Sequence, residues 1–422
     1  MKKIVVCILA FLFLPGAITA AEVSLTLDEA VALALRDNRD VLLKIKEVEK
    51  AKEKIRETRS GFLPTAQFSG SLTDTRGYYS KDLSQGSAQF SVKEYLYNGG
   101  KTSNTVAQNR EMLVVSQALL DKAKLETVLT VKKAFYTLLL AEEYASLNKE
   151  IKENSLRHLT YMQLRYENGQ ASQSDILKLK ESLASVQQAY EASLRQIESM
   201  QALLRNVLFL SEDIVIRPQG NLFFDSRGIA YEEAFLKALR QRPEIRQYLA
   251  QERADKSAIE VAKADTRPQV YASWDYYSRS HVTATTTKNW NDYNIIGVTF
   301  SWPFFDGWAT KAKVEQAIID LKETGLHKQK AQSDIALELK NAYIALNNTI
   351  SKLQSLRAQV ALYKDTLSVV EAQYKSGIAS HLDLDDISLS YAVSLFNQKE
   401  AMYDYGIAKA NFDKATGGID VY

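Results

Sequence analysis

The residue types that do chemistry are few in this chain and badly spaced for it. The histidines, His158, His281, His327 and His381, are scattered and show no metal-ligand spacing. The single cysteine, Cys7, stands in an apolar leader, so the rest of the chain can form neither a disulfide nor a cysteine metal site. No glycine-rich phosphate loop and no nucleophile elbow occur. These absences argue against an enzyme and point to no cofactor or metal. The sharp local signature is of another kind. RYENGQASQSD at 165–175 returns as QYKSGIASHLD at 373–383. In each string a glycine, Gly169 or Gly377, suits a left-handed helix C-cap. Ser172 with Asp175, and Ser380 with Asp383, are S-x-x-D capping patterns that open the next helix. Asp385 and Asp386 extend the acidity in the second string only. That acidity is either a solvated helix start or an acidic ring around an opening, made once per chain and repeated by symmetry.

The repeated string is part of a duplication of the whole chain. LDEAVALALRDNRDV at 27–41 matches YEEAFLKALRQRPEI at 231–245, an offset of 204 that also carries Pro64 onto Pro268. YNGGKT at 97–102 matches FDGWAT at 305–310, an offset of 208 that holds through the second string. The four extra residues fall where a loop between strands is expected. The boundaries that follow are a first repeat at 22–208, a linker at 209–230 and a second repeat at 231–422.

Prolines and glycines draw the elements. No proline occurs from 101 to 208 or from 308 to 416, and Gly169 is the only glycine in the first of these stretches. Such stretches read as long helices broken once, at 101–167 with 172–208 and at 309–375 with 380–416. Pro64 and Pro268 each end a helix and open an extended segment, so one helix is expected over 28–62. Leu339, Leu346, Leu353, Val360, Leu367 and Tyr374 are spaced by sevens, with Ala342, Thr349, Leu356, Tyr363 and Val370 as the partner row. This is the heptad of a helix packed along its length. Val131, Leu138, Ala145, Leu159 and Tyr166 keep a weaker beat, interrupted at Lys152.

In the hairpin regions, 65–97 and 268–304, the period becomes two. Ala66, Phe68, Gly70 and Leu72 alternate with small polar residues, as do Ala88, Phe90 and Val92. Val270, Ala272, Trp274 and Tyr276 share one face, and Ile296, Val298, Phe300 and Trp302 another. Strands of about ten residues, apolar on one side and small-polar on the other, suit a transmembrane barrel with a wet lumen. A soluble hairpin on a core is the competing reading. Aromatic residues near the strand ends (Tyr78, Tyr79, Tyr95, Tyr97, Trp290, Tyr293, Trp302) favour the membrane.

Residues 1–21 carry Lys2 and Lys3, an apolar run and small residues before Ala20 and Ala21, the pattern of a secretory signal peptide. The run is too short to be a spanning anchor, and Cys7 lies inside it rather than at a lipidation point. Lys plus Arg total 53 against 51 Asp plus Glu, and the leader lysines make up the difference. A neutral mature chain argues against nucleic acid as a partner. No later stretch approaches the roughly 18 apolar residues of a spanning helix. An exported chain of this kind crosses a membrane only as a closed barrel. Four strands cannot close one, since eight is about the minimum, so at least two chains must combine. A helix of 67 residues runs about 100 Å, close to the summed length of the two shorter helices of each repeat. Those two are therefore expected to stack end to end, with the linker and a small extended patch at 214–224 at mid-height.

The order and spacing of these features resemble the outer-membrane efflux protein family, the TolC-like ducts. The resemblance covers essentially the whole mature chain and rests on LDEAVALAL, LYNGG with FFDG, and the paired Y-x-x-G-x-A-S-x-x-D strings. It implies an α+β membrane protein with an internal duplication. Three chains would form a homotrimer whose 12-stranded β-barrel, four strands per chain, continues into a long α-helical coiled-coil barrel. It implies a place in the outer membrane of a Gram-negative bacterium, in contact with outer-membrane lipid, with a periplasmic tunnel. The implied function is the exit duct of a tripartite efflux or type I secretion system, with a periplasmic adaptor (membrane fusion protein) and an inner-membrane transporter as partners. Tyr374, Asp383 and Asp386 match the family's periplasmic aperture, and Gly169, Asp175, Gly377 and Ser380 its tip turns. An arginine that the family uses to hold the gate is replaced by Ala379. The end of the chain at Tyr422 implies a small equatorial region. A structural periplasmic coiled-coil protein is the competing class, which accounts for the heptads but not for the strands.

Overall fold

The computed structural model describes residues 22–78, 81–220, 230–282 and 289–418. The leader, Tyr79, residues 221–229 of the linker and Tyr422 lie outside the described residues. In chain order the first repeat runs β1 (Glu22–Thr26), α1 (Leu27–Asp37), α2 (Arg39–Arg59), β2 (Thr65–Tyr78), β3 (Lys81–Asn98), α3 (Lys101–Glu167) and α4 (Gln173–Leu208). There follow β4 (Val215–Gln219), α5 (Tyr231–Gln241), α6 (Pro243–Lys263), β5 (Gln269–Val282), β6 (Asn289–Ser301), α7 (Ala309–Lys375) and α8 (His381–Thr416). Short 3-10 turns, Ser60–Phe62 and Ala264–Thr266, end α2 and α6. Leu63 and Arg267 then take extended backbone (ψ 153 and 151), as the residue before a proline must.

The single helix expected over 28–62 is corrected: it is two helices. Asn38 sits in extended backbone and its Oδ1 accepts the N–H groups of Asp40 and Val41, at 2.9 and 3.2 Å. An asparagine that satisfies the first donors of a new helix stops the old one. The second repeat breaks at the equivalent point by other means. Pro243 occupies the first turn of α6, where its missing N–H costs nothing, and Arg242 before it is extended. Arg242, 4% exposed, then binds the neighbours of that break. It donates to Glu244 and to Glu338 Oε2 (2.8 Å) and, through Nη1, to the Lys414 carbonyl (3.0 Å).

The chain divides into two compact units. One holds the described part of 1–34 with 130–224 and 353–406; the other holds 35–129, 225–352 and 407–418. The second unit contains the antiparallel sheet, in the order β2-β3-β5-β6. Its strands have 13 to 18 residues, longer than the ten or so read from the sequence. The register sets Phe68 opposite Phe90, Phe90 opposite Tyr276, Val92 opposite Trp274, and Trp274 opposite Ile296. Directly opposed residues share a face, so all four apolar rows fall on one side of the sheet. That side is open: Phe68 is 73% exposed, Leu72 87% and Ile296 81%. The other side is polar and bonded across strands. Ser71 and Ser87 hydroxyls lie 2.8 Å apart, and Gln89 Nε2 donates to Asp275 Oδ1 and to the Tyr277 hydroxyl. The helical part of this unit buries Val41, Val48 and Ile55 of α2, Val115, Ala118 and Leu125 of α3, and Ile335, Leu339 and Leu346 of α7.

In the first unit the core stripe of α3 continues through Val131, Phe135, Leu138 and Ala145, and Ala392, Ala401 and Tyr405 of α8 are buried as well; the Thr137 and Tyr403 hydroxyls, 3.1 Å apart, join the two helices. Full burial of a side chain such as Phe135 or Leu138 contributes about 1.5–3 kcal/mol. Gly406 admits the Tyr136 ring, whose Cε2 lies 3.0 Å from where a β-carbon would stand. The strand β4 lies within the expected patch at 214–224, and it has a partner that the sequence reading did not contain. β1 pairs with it in parallel, Val23 opposite Ile216 and Leu25 opposite Pro218, and Ile216 is fully buried. Along α7 the heptad row fades: Leu353 is buried, Val360 and Leu367 are half-buried, and Tyr374 is 41% exposed.

Candidate functional site

The two α-α turns are the same structure made twice. After α3, Gly169 takes φ 72; its N–H donates to the Tyr166 carbonyl, and that of Gln170 to the Arg165 carbonyl, at 2.9 and 2.8 Å. After α7, Gly377 takes φ 77, and the N–H groups of Gly377 and Ile378 reach the Tyr374 and Gln373 carbonyls at 3.0 and 2.9 Å. This is a Schellman end, and the left-handed residue in it favours glycine.

Each turn then opens its next helix with a reciprocal cap. The Ser172 N–H and hydroxyl both donate to Asp175 Oδ2 (3.2 and 2.7 Å), and the Asp175 N–H donates back to Ser172 Oγ at 3.2 Å. Ser380 and Asp383 repeat this at 2.8, 2.7 and 3.1 Å. The serine hydroxyl, and after it the serine N–H, hold each aspartate below the usual carboxylate range. Both carboxylates are therefore ionised at neutral pH; Asp383 is exposed and Asp175 half-buried. Ala379 lies in the turn, its N–H donating to the Gln373 carbonyl at 3.3 Å.

The acidic residues after Ser380 do not act together. Asp383 and Asp386 are exposed and lie one turn apart on α8. Asp385, read with them as one acidic cluster, is corrected: it turns inward and is 6% exposed. Its Oδ2 lies 2.7 Å from His158 Nε2 of α3, and the Asn154 amide donates to its backbone carbonyl at 3.4 Å. The contact is an ion pair when the imidazole is protonated. Arg157 in turn donates to the Asn154 side chain. Asn148 and Asn154 are buried polar residues on the part of α3 whose heptad is weakest, and that is the signal in the sequence for a polar joint here. Beside it, a cavity of about 320 Å³ is lined by His158, Tyr161, Arg165, Asp175, Lys178 and Leu382. The turns thus display fixed charge. Among the described residues no group of three His, Cys, Asp or Glu side chains could hold a metal ion, and no helix is long and apolar enough to cross a membrane.

A helical α+β chain, made twice, with an open sheet apolar on one side and polar on the other, defines a class of channel-forming outer-membrane protein. Residues 30–208 and 236–418 match the sequence profile of the outer membrane efflux protein family, and the chain belongs to that family. It is 21% identical over 389 residues to the outer membrane protein TolC of Salmonella enteritidis, covering 87% of this chain and 77% of that one. The TolC of Escherichia coli K12 is 20% identical over 396 residues, with the same coverage. The fold is shared with the CmeC outer membrane channel of Campylobacter jejuni at a TM-score of 0.73 and 19% identity, covering 93% of this chain and 85% of that one. The transmembrane channel CusC gives a TM-score of 0.74 at 16% identity, covering 93% and 92%.

Proposed function

We propose that three copies of this chain form an outer-membrane exit duct, fed by an inner-membrane pump through a periplasmic adaptor in a tripartite efflux or type I secretion system. The observation that carries the reading is the sheet: its apolar face is open, most fully on the edge strands β2 and β6, and its opposite face is largely polar. Open edges are not tolerated in lipid. Four strands from each of three chains give a closed barrel between the roughly 8-stranded small barrels and the 16–18-stranded porins. The half-covered heptad of α7 beyond Leu353 supports the same reading, because a neighbouring chain would complete it. The repeats 22–208 and 231–422 each supply one hairpin and one long helix, and 1–21 directs export. The paired turns form the periplasmic aperture: Gly169, Asp175, Gly377 and Ser380 shape them, and Tyr374, Asp383 and Asp386 line the opening. The duct is passive, with neither catalysis nor cofactor. A structural periplasmic coiled coil would leave the apolar face without an occupant. Native mass measurement of the detergent-extracted protein should give three chains, and insertion into planar bilayers should give one conductance per trimer. A stable monomer without conductance would overturn the duct.

A further inference from the structure

The largely polar face of the sheet carries charge, and only on its two inner strands. Over 65–75, 85–95, 270–280 and 290–300, the residues that alternate with the apolar rows include three charged ones: Lys93 of β3, and Asp275 and Arg279 of β5. The acids Asp74, Glu94 and Asp292 fall on the apolar face. Lys93 Nζ lies 3.8 Å from the Tyr271 ring centre and 4.6 Å from that of Tyr95. Arg279 Cζ lies 4.9 and 5.8 Å from the ring centres of Tyr277 and Tyr293, which stack at 5.0 Å. Among the described residues neither cation is in an ion pair. Aromatic faces hold a cation in place without neutralising it. Asp275, between the two, accepts from Gln89 Nε2 at 3.2 Å, so an amide rather than either cation holds it.

The duplication shows what this face needs in order to fold. The two hairpins pair alike, Thr65 with Lys93 and Gln269 with Ser301. At the offset of 204, Gln67, Ser71, Thr73 and Thr75 of β2 stand where β5 has Tyr271, Asp275, Tyr277 and Arg279. At the offset of 208, Ser301 of β6 stands where β3 has Lys93. Small polar residues therefore suffice to build a strand of this face, and the Ser71 and Ser87 hydroxyls bond across β2 and β3 without help from a charge. Charge is an addition confined to the adjacent strands β3 and β5.

We propose that Lys93 and Arg279 make this face an anion-favouring filter: repeated in each chain of the assembly, they form two basic rings on either side of a ring of Asp275, and they favour solutes that carry carboxylate, phosphate or sulfate groups. The inference rests on the duct proposed above, which turns the polar face to the lumen, and adds a preference among the solutes that pass. Rings of charged side chains set the selectivity of a pore, and walls of low dielectric focus their field into it. Lys93 faces Ser273, so Arg279 stands six residues further along β5, about 20 Å along the strand. Screening within about 10 Å at 0.1 M salt lets each ring act alone, whereas about 30 Å at 0.01 M spans all three. Two cations against one acid then leave each chain one net positive charge on this face. The preference for anions is therefore strongest in dilute salt, where Asp275 is outweighed.

The test is the reversal potential of the full-length protein in planar bilayers under a potassium chloride gradient. Lys93→Gln with Arg279→Gln removes both cations and is expected to shift the potential toward that of potassium, most when the dilute side is about 0.01 M. Asp275→Asn keeps an acceptor for Gln89, removes the acid and is expected to shift it the other way, toward chloride. Lys93→Arg with Arg279→Lys keeps the charge and is expected to match the parent. A conducting oligomer whose potential is the same in all variants at every salt concentration overturns the filter, leaves the duct standing and makes the two cations staples for their tyrosines. A charge-keeping variant that shifts as far as the glutamine variant assigns the effect to packing and overturns the filter as well. Where the glutamine variant yields no channels, Asp275→Asn decides, and the absence of a shift toward chloride overturns the filter. A parent protein that is one chain by native mass and does not conduct removes the duct, and the filter with it.

Discussion

Asp383 and Asp175 do two things with one carboxylate: each caps a helix and each presents charge. The serine hydroxyl and N–H lower both acids below their ordinary value. A depressed folded value gives stability that is complete above the unfolded value and lost as the pH falls through the folded one. The caps should therefore be indifferent to pH from 8 down to about 5, and weaken only below the usual carboxylate range of about 4. Hydrogen exchange at the first turns of α4 and α8 reads this directly, and protection that stays constant into strong acid would show that the ionised carboxylates are not holding the caps. These residues are legible in the sequence because S-x-x-D is a local code. Asp385 is not, because its inward aim depends on which face of α8 meets α3. Its neighbours Asp383 and Asp386 look alike in the sequence and point elsewhere.

Among the elements, the long helices announce themselves by what they lack. α3 and α7 have 67 residues each without a proline, and each ends at a glycine turn. The strands are legible through their period of two, and the register confirms that the alternating rows share a face. The pairing of β1 with β4 is not legible, since five residues joined across a whole repeat leave no periodic trace. The break between α1 and α2 was hidden in a different way. The first repeat uses Asn38 and the second Arg242 with Pro243, so the duplicated strings align while the signals differ. Asn38→Ala should remove the acceptor for two N–H groups and cost about 1 kcal/mol, read as a lower unfolding temperature. The α6 break has its own proline and should be unaffected. An unchanged unfolding temperature would mean that packing of Val31 and Val41, both buried, fixes the break without the cap.

At the scale of the whole molecule, one chain leaves two sheet edges, β2 and β6, unpaired and a heptad row on α7 that loses its cover beyond Leu353. If three chains meet about one axis, Asp383 and Asp386 bring six carboxylates toward the opening, and such rings select for cations. An opening so formed faces water, so its field is screened within about 10 Å at 0.1 M salt and reaches about 30 Å at 0.01 M. Asp383→Asn keeps an oxygen that can accept the Asp383–Ser380 capping bonds and removes the charge. Asp386 has no such cap and loses only its charge in Asp386→Asn. The double variant should therefore keep its oligomer and its helix start, and lose cation preference, most clearly at low salt. The reversal potential of single channels under a salt gradient measures this. A reversal potential equal to the parent's at every salt concentration, with the oligomer intact, would return both aspartates to the simpler role of a solvated helix start and move the selective opening to another part of the duct.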